Sequence, residues 1–196
     1  MTTPPAPPAR PEERPMGRIA ANYFISLDGV VESPDQWHFP YFNDEMGAAI
    51  GGTTEVSGAF LMGRTLYDEW SAYWPDQDDD VPFSSFINSI PKYVVSSSLD
   101  QADVAWSHTT VVPGDPERIR QIKAATEGDI SMSGSATTAR WLLAEGLLDE
   151  LHLLVHPIVV GHGRRLFEEI DTVPLALTAH EAFATGVLDL TYTPAP

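Results

Sequence analysis

Three times along this chain an apolar run meets a glycine and passes at once into a helical pattern. The junctions are Met62-Gly63-Arg64-Thr65, Ser133-Gly134-Ser135-Ala136 and, more loosely, Gly161-His162-Gly163-Arg164-Arg165. A strand that hands over to a helix through a glycine turn is the repeating join of an α/β protein. The surrounding pattern agrees. Residues 18–27, 59–62, 92–96, 130–132 and 151–160 read as strands. Helical stretches fall between them: one capped by Asn43 and running to about residue 57, then 63–70, 83–90, 115–126 with Pro116 at its first position, and 135–145 closed by Gly146. Residues 104–112 predict two short strands, and 175–183 with 187–193 a hairpin around Gly186. Alternation of this kind predicts a three-layer α/β/α architecture. Its mixed sheet is mostly parallel, with an antiparallel C-terminal hairpin and helices on both faces.

Residues 1–16 contain Pro4, Pro5, Pro7, Pro8, Pro11 and Pro15 and little that can pack, which predicts a disordered tail. Residues 17–196 then form a single domain, with no visible repeat or linker. The absence of cysteine excludes disulfides and thiolate chemistry. Eleven basic against 28 acidic residues leave a formal charge of −17, a surface that repels nucleic acid and anionic lipid. No apolar run is long enough to span a bilayer, and the N-terminus lacks the order of a secretory signal, so the expected location is the cytoplasm.

On so acidic a chain, places able to receive an anion stand out. A helix start offers free N–H groups and a partial positive charge, and glycine before it lets a phosphate approach the backbone. Two such starts at one sheet edge suit the two ends of a dinucleotide, and the Arg64 guanidinium suits a ribose phosphate. For any one of the three junctions, a plain tight turn is the competing reading. The usual nucleotide signatures are missing. Gly161-His162-Gly163 is followed by Arg-Arg-Leu, so the third glycine of GxGxxG is absent, and no GxxxxGK[ST] occurs.

Further motifs appear in a fixed order: Ser26-Leu27-Asp28-Gly29 after the first strand, Met62-Gly63-Arg64-Thr65-Leu66-Tyr67, Lys92-Tyr93-Val94-Val95-Ser96 and Ser133-Gly134-Ser135-Ala136. Gly146-Leu147-Leu148-Asp149-Glu150-Leu151 then leads through His156-Pro157-Ile158-Val159-Val160 to Arg164-Arg165-Leu166-Phe167. The ordered set resembles the dihydrofolate-reductase-like superfamily. The branch it resembles is the one typified by the C-terminal reductase domain of the bifunctional riboflavin-biosynthesis enzyme RibD and its free-standing bacterial relatives. The resemblance implies a dihydrofolate-reductase-like sheet, NADPH as hydride donor and a homodimer. It implies phosphate contacts at Gly63, Arg64 and Thr65, an adenosine end near Ser96 and Ser97, and a pyrophosphate cradle at Gly134, Ser135, Ala136 and Thr137. It also places Ala21, Asp28 and Gly29 beside the nicotinamide and substrate. The zinc deaminase half of the bifunctional enzyme has no counterpart here, since its cysteines are absent.

Asp28 is the candidate proton donor, its pKa expected to rise if the group is desolvated; a turn residue bonding its own backbone is the alternative. Trp37 and Phe42 are candidates for stacking on a flat substrate, against core packing. Arg164 and Arg165 are candidates for an anionic substrate, against solvated surface. His152 and His156 lie roughly 13 Å apart on a strand, too far for one ion, and Asp76, Asp78, Asp79 and Asp80 lack the pattern of a calcium loop, so no metal site is expected. The leading expectation is an NADPH-dependent reductase of a small heterocyclic or carbonyl substrate, of the 5-amino-6-(5-phosphoribosylamino)uracil reductase or dihydrofolate reductase kind. An NADPH-binding module without turnover, acting as a sensor or interaction protein, and a structural dimer without nucleotide are the alternatives.

Overall fold

The layering follows from the first strand. In β1 (Ile19–Ser26) side chains alternate: Ile19, Ala21, Tyr23 and Ile25 turn to one face, Ala20, Asn22, Phe24 and Ser26 to the other. The first set is almost fully buried, which requires a helical layer above it. The computed structural model describes residues 17–195; the proline-rich segment expected to be a disordered tail lies outside the described residues. β1 joins β2 (Ser57–Gly63), β3 (Lys92–Val95), β4 (Thr109–Val112), β5 (Asp129–Met132), β6 (Glu150–His156), β7 (Leu175–Ala182) and β8 (Leu188–Pro194) in one sheet ordered β4-β3-β2-β5-β1-β6-β8-β7. Every pairing from β4 to β6 is parallel; β8 runs antiparallel to both β6 and β7.

Helices α1 (Asp44–Glu55), α2 (Arg64–Ser71), α3 (Ser84–Ser89), α4 (Pro116–Ala125) and α5 (Ala136–Ala144) cover the two faces. Right-handed crossovers sort them: α1 to α3 lie on connections that step one way along the sheet, α4 and α5 on connections that step back, so the two groups take opposite faces. The core clusters agree. Ile119 and Ile122 of α4 and Ala139, Leu142 and Leu143 of α5 pack with Ile19, Ala21, Tyr23, Ile130 and Leu151. Leu66, Tyr67 and Ile87 pack on the other face with Phe60, Met62 and Val94. A third cluster joins Met46 of α1 to Phe24, Leu154, Phe183 and Val187.

Two predicted strands differ. Only residues 109–112 of 104–112 form a strand. Trp106 turns into the core, His108 takes a left-handed backbone, and the Gln101 side chain bonds the Thr109 carbonyl and the Val111 N–H, closing the sheet edge. The long strand predicted from 151 to 160 stops at His156, because Pro157 has no N–H to continue the ladder.

Candidate functional site

β2 and β5 are sheet neighbours whose connections leave in opposite directions: β2 continues through α2 and α3 towards β3, and β5 through α5 towards β6. The ends of two such strands flank a crevice, the usual ligand position in an open α/β sheet. Here both strand ends are the glycine junctions. Gly63 is the N-cap of α2, and Ser133-Gly134 leads into Ser135, the N-cap of α5. The Ser135 hydroxyl accepts a hydrogen bond from Gly63 N–H at 2.9 Å and ties the two turns together. A Cβ on Gly63 would stand 2.6 Å from Thr138 Oγ1, and one on Gly134, which has a φ of +66°, 2.9 Å from Leu66 Cδ1. The two helix starts therefore pack closely, bridged by the Ser135 side chain, with Thr138 and Leu66 standing where a Cβ on either glycine would go.

The helices differ in their capping, and α3 lacks a side-chain cap. α1 and α4 are capped by their own side chains, Asn43 accepting from Met46 N–H and Asp115 from Glu117 N–H. Neither α2 nor α5 has a side-chain cap; the Ala136 N–H bonds the Gly134 carbonyl at 3.1 Å, and the other first-turn N–H groups border the crevice with no capping side chain. The crevice holds about 280 Å³ and is bordered by Thr65, Ala136, Thr137 and two arginines, Arg64 and Arg164. Arg64 Nε reaches both carboxylate oxygens of Asp68, at 2.7 and 2.8 Å, in a partly exposed pair one helical turn apart. Such pairs are weak and exchange readily for a stronger anion. Among the described residues the Arg164 guanidinium has no ion-pair partner. Uncapped N–H groups, threonine and serine hydroxyls and two guanidiniums fit a phosphorylated dinucleotide. Val95 also lines the crevice, and Ser96 follows it, but the Ser96 hydroxyl caps its own turn by accepting from Ser98 and Leu99 N–H. Ser97 is exposed beside it.

Asp28 departs from its expected chemistry. Its carboxylate accepts from Ser26 Oγ at 2.7 Å, Val160 N–H at 3.0 Å and Gly161 N–H at 2.9 Å. The Ser26 hydroxyl and the Val160 amide hold it down at about 2, the opposite of the rise that suits a proton donor. Nor does it bond only its own turn: it clasps the loop after β6 to the loop after β1. Arg165 completes the clasp, its Nε donating to the Asp28 carbonyl, while Gly29 takes a positive φ in the same turn.

The remaining candidates separate. Ala21 is fully buried on the α5 face and is enclosed by core, with no surface for a ligand. Trp37 is buried, its Nε1–H donating to the Glu32 carbonyl, while Phe42 is half exposed beside Phe39. His152 bonds Glu150 at 2.5 Å, and His156 is fully buried. Two features escaped sequence reasoning. His38 stacks on Phe24 at 4.5 Å and lies 6.1 Å from His156, within a ring cluster that includes Trp37 and Tyr41. Burial pushes both histidines down and keeps them neutral. The signal available was His38 inside the aromatic run. Lys92 is also completely buried, its Nζ donating to the Ile87 and Ile90 carbonyls.

Comparison with known proteins bears on this geometry. The family described as the RibD C-terminal domain matches residues 18–188. The uncharacterised Bacillus subtilis protein YyaP is 26% identical over 182 residues, covering 89% of this chain and 94% of its own. Among solved structures, a protein of Shewanella sp. PV-4 assigned to riboflavin biosynthesis superposes with a TM-score of 0.75 at 21% identity, covering 91% of this chain and 99% of that one. Dihydrofolate reductase from Enterococcus faecalis, complexed with NADP(H), superposes with a TM-score of 0.63 at 18% identity over 92% of this chain and 98% of that one. These likenesses bear out the dihydrofolate-reductase-like fold.

Proposed function

Because the chain belongs to the RibD C-terminal domain family, we propose that it is an NADPH-dependent reductase of a small heterocyclic or carbonyl substrate. The observation that carries this reading is the pair of uncapped helix starts tied together by Ser135 at the β2–β5 crevice. The Enterococcus faecalis reductase with the same fold is complexed with NADP(H), and the Shewanella protein is assigned to riboflavin biosynthesis, which supports the cofactor and the reaction type.

In this reading the first-turn amides of α2 and α5 bind the pyrophosphate, and Arg64 leaves Asp68 to pair with the ribose phosphate. Arg164 closes the crevice from the loop that Asp28 clasps, so Asp28 and Arg165 are positioning residues rather than acids. When bound, NADPH supplies a hydride to an electrophilic carbon. The exposed rings of Phe39 and Phe42 offer a stacking surface for a flat substrate. One observation favours a binding module without turnover: the clasped Asp28 carboxylate has no proton to donate at neutral pH.

Thermal unfolding and calorimetry with NADPH and NADH test the reading. NADPH should raise the melting temperature more than NADH does. Arg64→Ala should weaken NADPH about tenfold, as expected for a lost charge-assisted contact, and leave NADH little changed. No stabilisation of the folded wild-type chain by either nucleotide would remove the proposal. NADPH oxidation against a panel of heterocycles and carbonyl compounds then separates reductase from module.

A further inference from the structure

Between β1 and α1, residues 33–42 form a strap of two short 3-10 turns that is held to the fold by rings. Among the described residues, every hydrogen bond of its backbone stays within it. Gln36 donates to Ser33, Trp37 and His38 to Pro34, Tyr41 to His38 and Phe42 to Phe39. Its one side-chain hydrogen bond to a residue outside runs from Trp37 Nε1 to the neighbouring Glu32 carbonyl. Ser33 enters in a left-handed backbone, with a φ of +43°. Within the strap only Trp37 and His38 are buried.

Those two side chains, with half-buried Tyr41, close on one imidazole of the sheet. His156, the last residue of β6, is fully buried. The rings of Trp37, Tyr41 and His38 stand 5.2, 5.6 and 6.1 Å from it, and Phe24 of β1 stands at 5.7 Å. His38 lies flat on Phe24 at 4.5 Å. The fastening is thus a pair of imidazoles in an aromatic box. His156 Nδ1 donates to the Leu154 carbonyl at 2.8 Å, while its Nε2 and His38 Nδ1 are buried without a partner. A bare ring nitrogen is tolerated there as an unused acceptor. A proton on it would make a buried cation with no acceptor and little water.

The groups around the box do not offset that cost. Asp35, exposed on the strap, favours a proton on His38, and the Leu154 and Ile25 backbones favour one on His156, but burial outweighs them. Each ring's charge would also repel the other's. Past the end of β1, Asp28 is taken up by Ser26, Val160 and Gly161. On α1, Met46 joins the apolar cluster, Asp44 is exposed, and Glu45 accepts from Asn43 and from Ala184 N–H. β8 sets Asp189 opposite Leu154, one row back, with His152 and Glu181 as its charge neighbours. Phe183 and Val187 add only apolar surface.

We propose that residues 33–42 are a proton-operated strap: proton uptake by His38 and His156 breaks its hold on the sheet and releases it as a unit from an otherwise folded chain.

The direction follows from burial. Both imidazoles titrate below their ordinary value of 6.5 while the strap is closed, and near it once the strap is released. The closed form therefore binds fewer protons, is fully favoured above about 6.5 and loses ground as pH falls below that. Asp28 and Glu150, held at about 2, keep their charge throughout, so the ties they make persist. Phe39 and Phe42 ride on the strap, so in the reductase reading its release removes the stacking surface; the switch itself stands without that reading.

Hydrogen exchange of the full chain from about pH 7.5 to about pH 5, corrected for the intrinsic rate at each pH, tests this. Protection at the Trp37, His38, Tyr41 and Phe42 amides should be level down to about pH 6.5. It should then fall by up to about tenfold per pH unit for each histidine, while protection in β3 and β4 holds. His38→Phe, which keeps a stacking ring without a titrating nitrogen, should halve the logarithmic slope, and His38→Phe with His156→Phe should remove it. Should the double variant not fold, the single one decides. Asp189→Asn should leave the slope unchanged. Level protection of the wild-type strap over the whole range would overturn the proposal. So would a fall shared equally by β3 and β4, or a full slope in His38→Phe. A slope lost in Asp189→Asn would assign the proton to that carboxyl and overturn it too. None of these outcomes depends on whether NADPH binds.

Discussion

Asp28 lies two residues beyond β1, yet its carboxylate takes N–H groups from a loop 132 positions further along the chain. Local sequence marks it well, inside Ser26-Leu27-Asp28-Gly29, but no local pattern shows that Val160 and Gly161 arrive at its oxygens. Its role was therefore legible as a position and not as a chemistry. A carboxylate surrounded by donors is stabilised as the anion, so the clasp is intact above the ordinary value of 3.8 and is lost as pH falls through about 2. Asp28→Ala should speed hydrogen exchange at the Val160 and Gly161 amides and leave exchange in β3 and β4 unchanged. Unaltered exchange at those two amides would mean that the loop is held by something else. The same substitution should weaken NADPH binding, since Arg164 rides on the released loop.

At the scale of elements, the strand-to-helix joins carry both fold and site. Gly134 holds a left-handed backbone between β5 and α5, and the Leu66 side chain of α2 stands where a Cβ would go. Gly134→Ala should destabilise the protein by about 1–2 kcal/mol, measured by urea unfolding, and should weaken NADPH more than the stability loss explains, because Leu66 must shift into the crevice. Elements with a local period or a local cap were readable from sequence: the alternation in β1, and α4 with Asp115 before Pro116. Those decided by distant partners were not, and Lys92 is the clearest case. A lysine within an apolar strand gives no sign that it will cap α3, yet its ammonium closes that helix's last carbonyls and lies 4.7 Å from the centre of the Trp106 ring. Burial brings its pKa down from 10.5 to about 8. Between those values the unfolded chain keeps a proton that the folded chain has released, so stability should rise with pH across that window, by roughly 3 kcal/mol. Denaturation of Lys92→Met across the same window should show that part of the rise gone. An unchanged slope would assign the proton to another group.

Taken as one body, the molecule sets its charge against its ligand. A formal −17 surrounds a crevice whose attraction for phosphate comes from two helix starts, Arg64 and Arg164, with Asp68 and Glu69 close by. The attractive groups act at contact. The repulsive ones are spread over the whole surface and dominate at distances beyond about 10 Å, the screening length near 0.1 M salt. An approaching dinucleotide phosphate therefore meets repulsion first and attraction last. Salt weakens the long-range part more than the contacts inside the crevice, so the association rate for NADPH should increase as salt is raised from about 0.01 M to about 0.1 M. This is the reverse of steering by a basic cleft, where added salt slows encounter. Stopped-flow quenching of the reduced nicotinamide fluorescence measures that rate directly. A rate that falls with salt would mean that the field of Arg64, Arg164 and the helix starts reaches past the acidic surface and governs approach as well as grip.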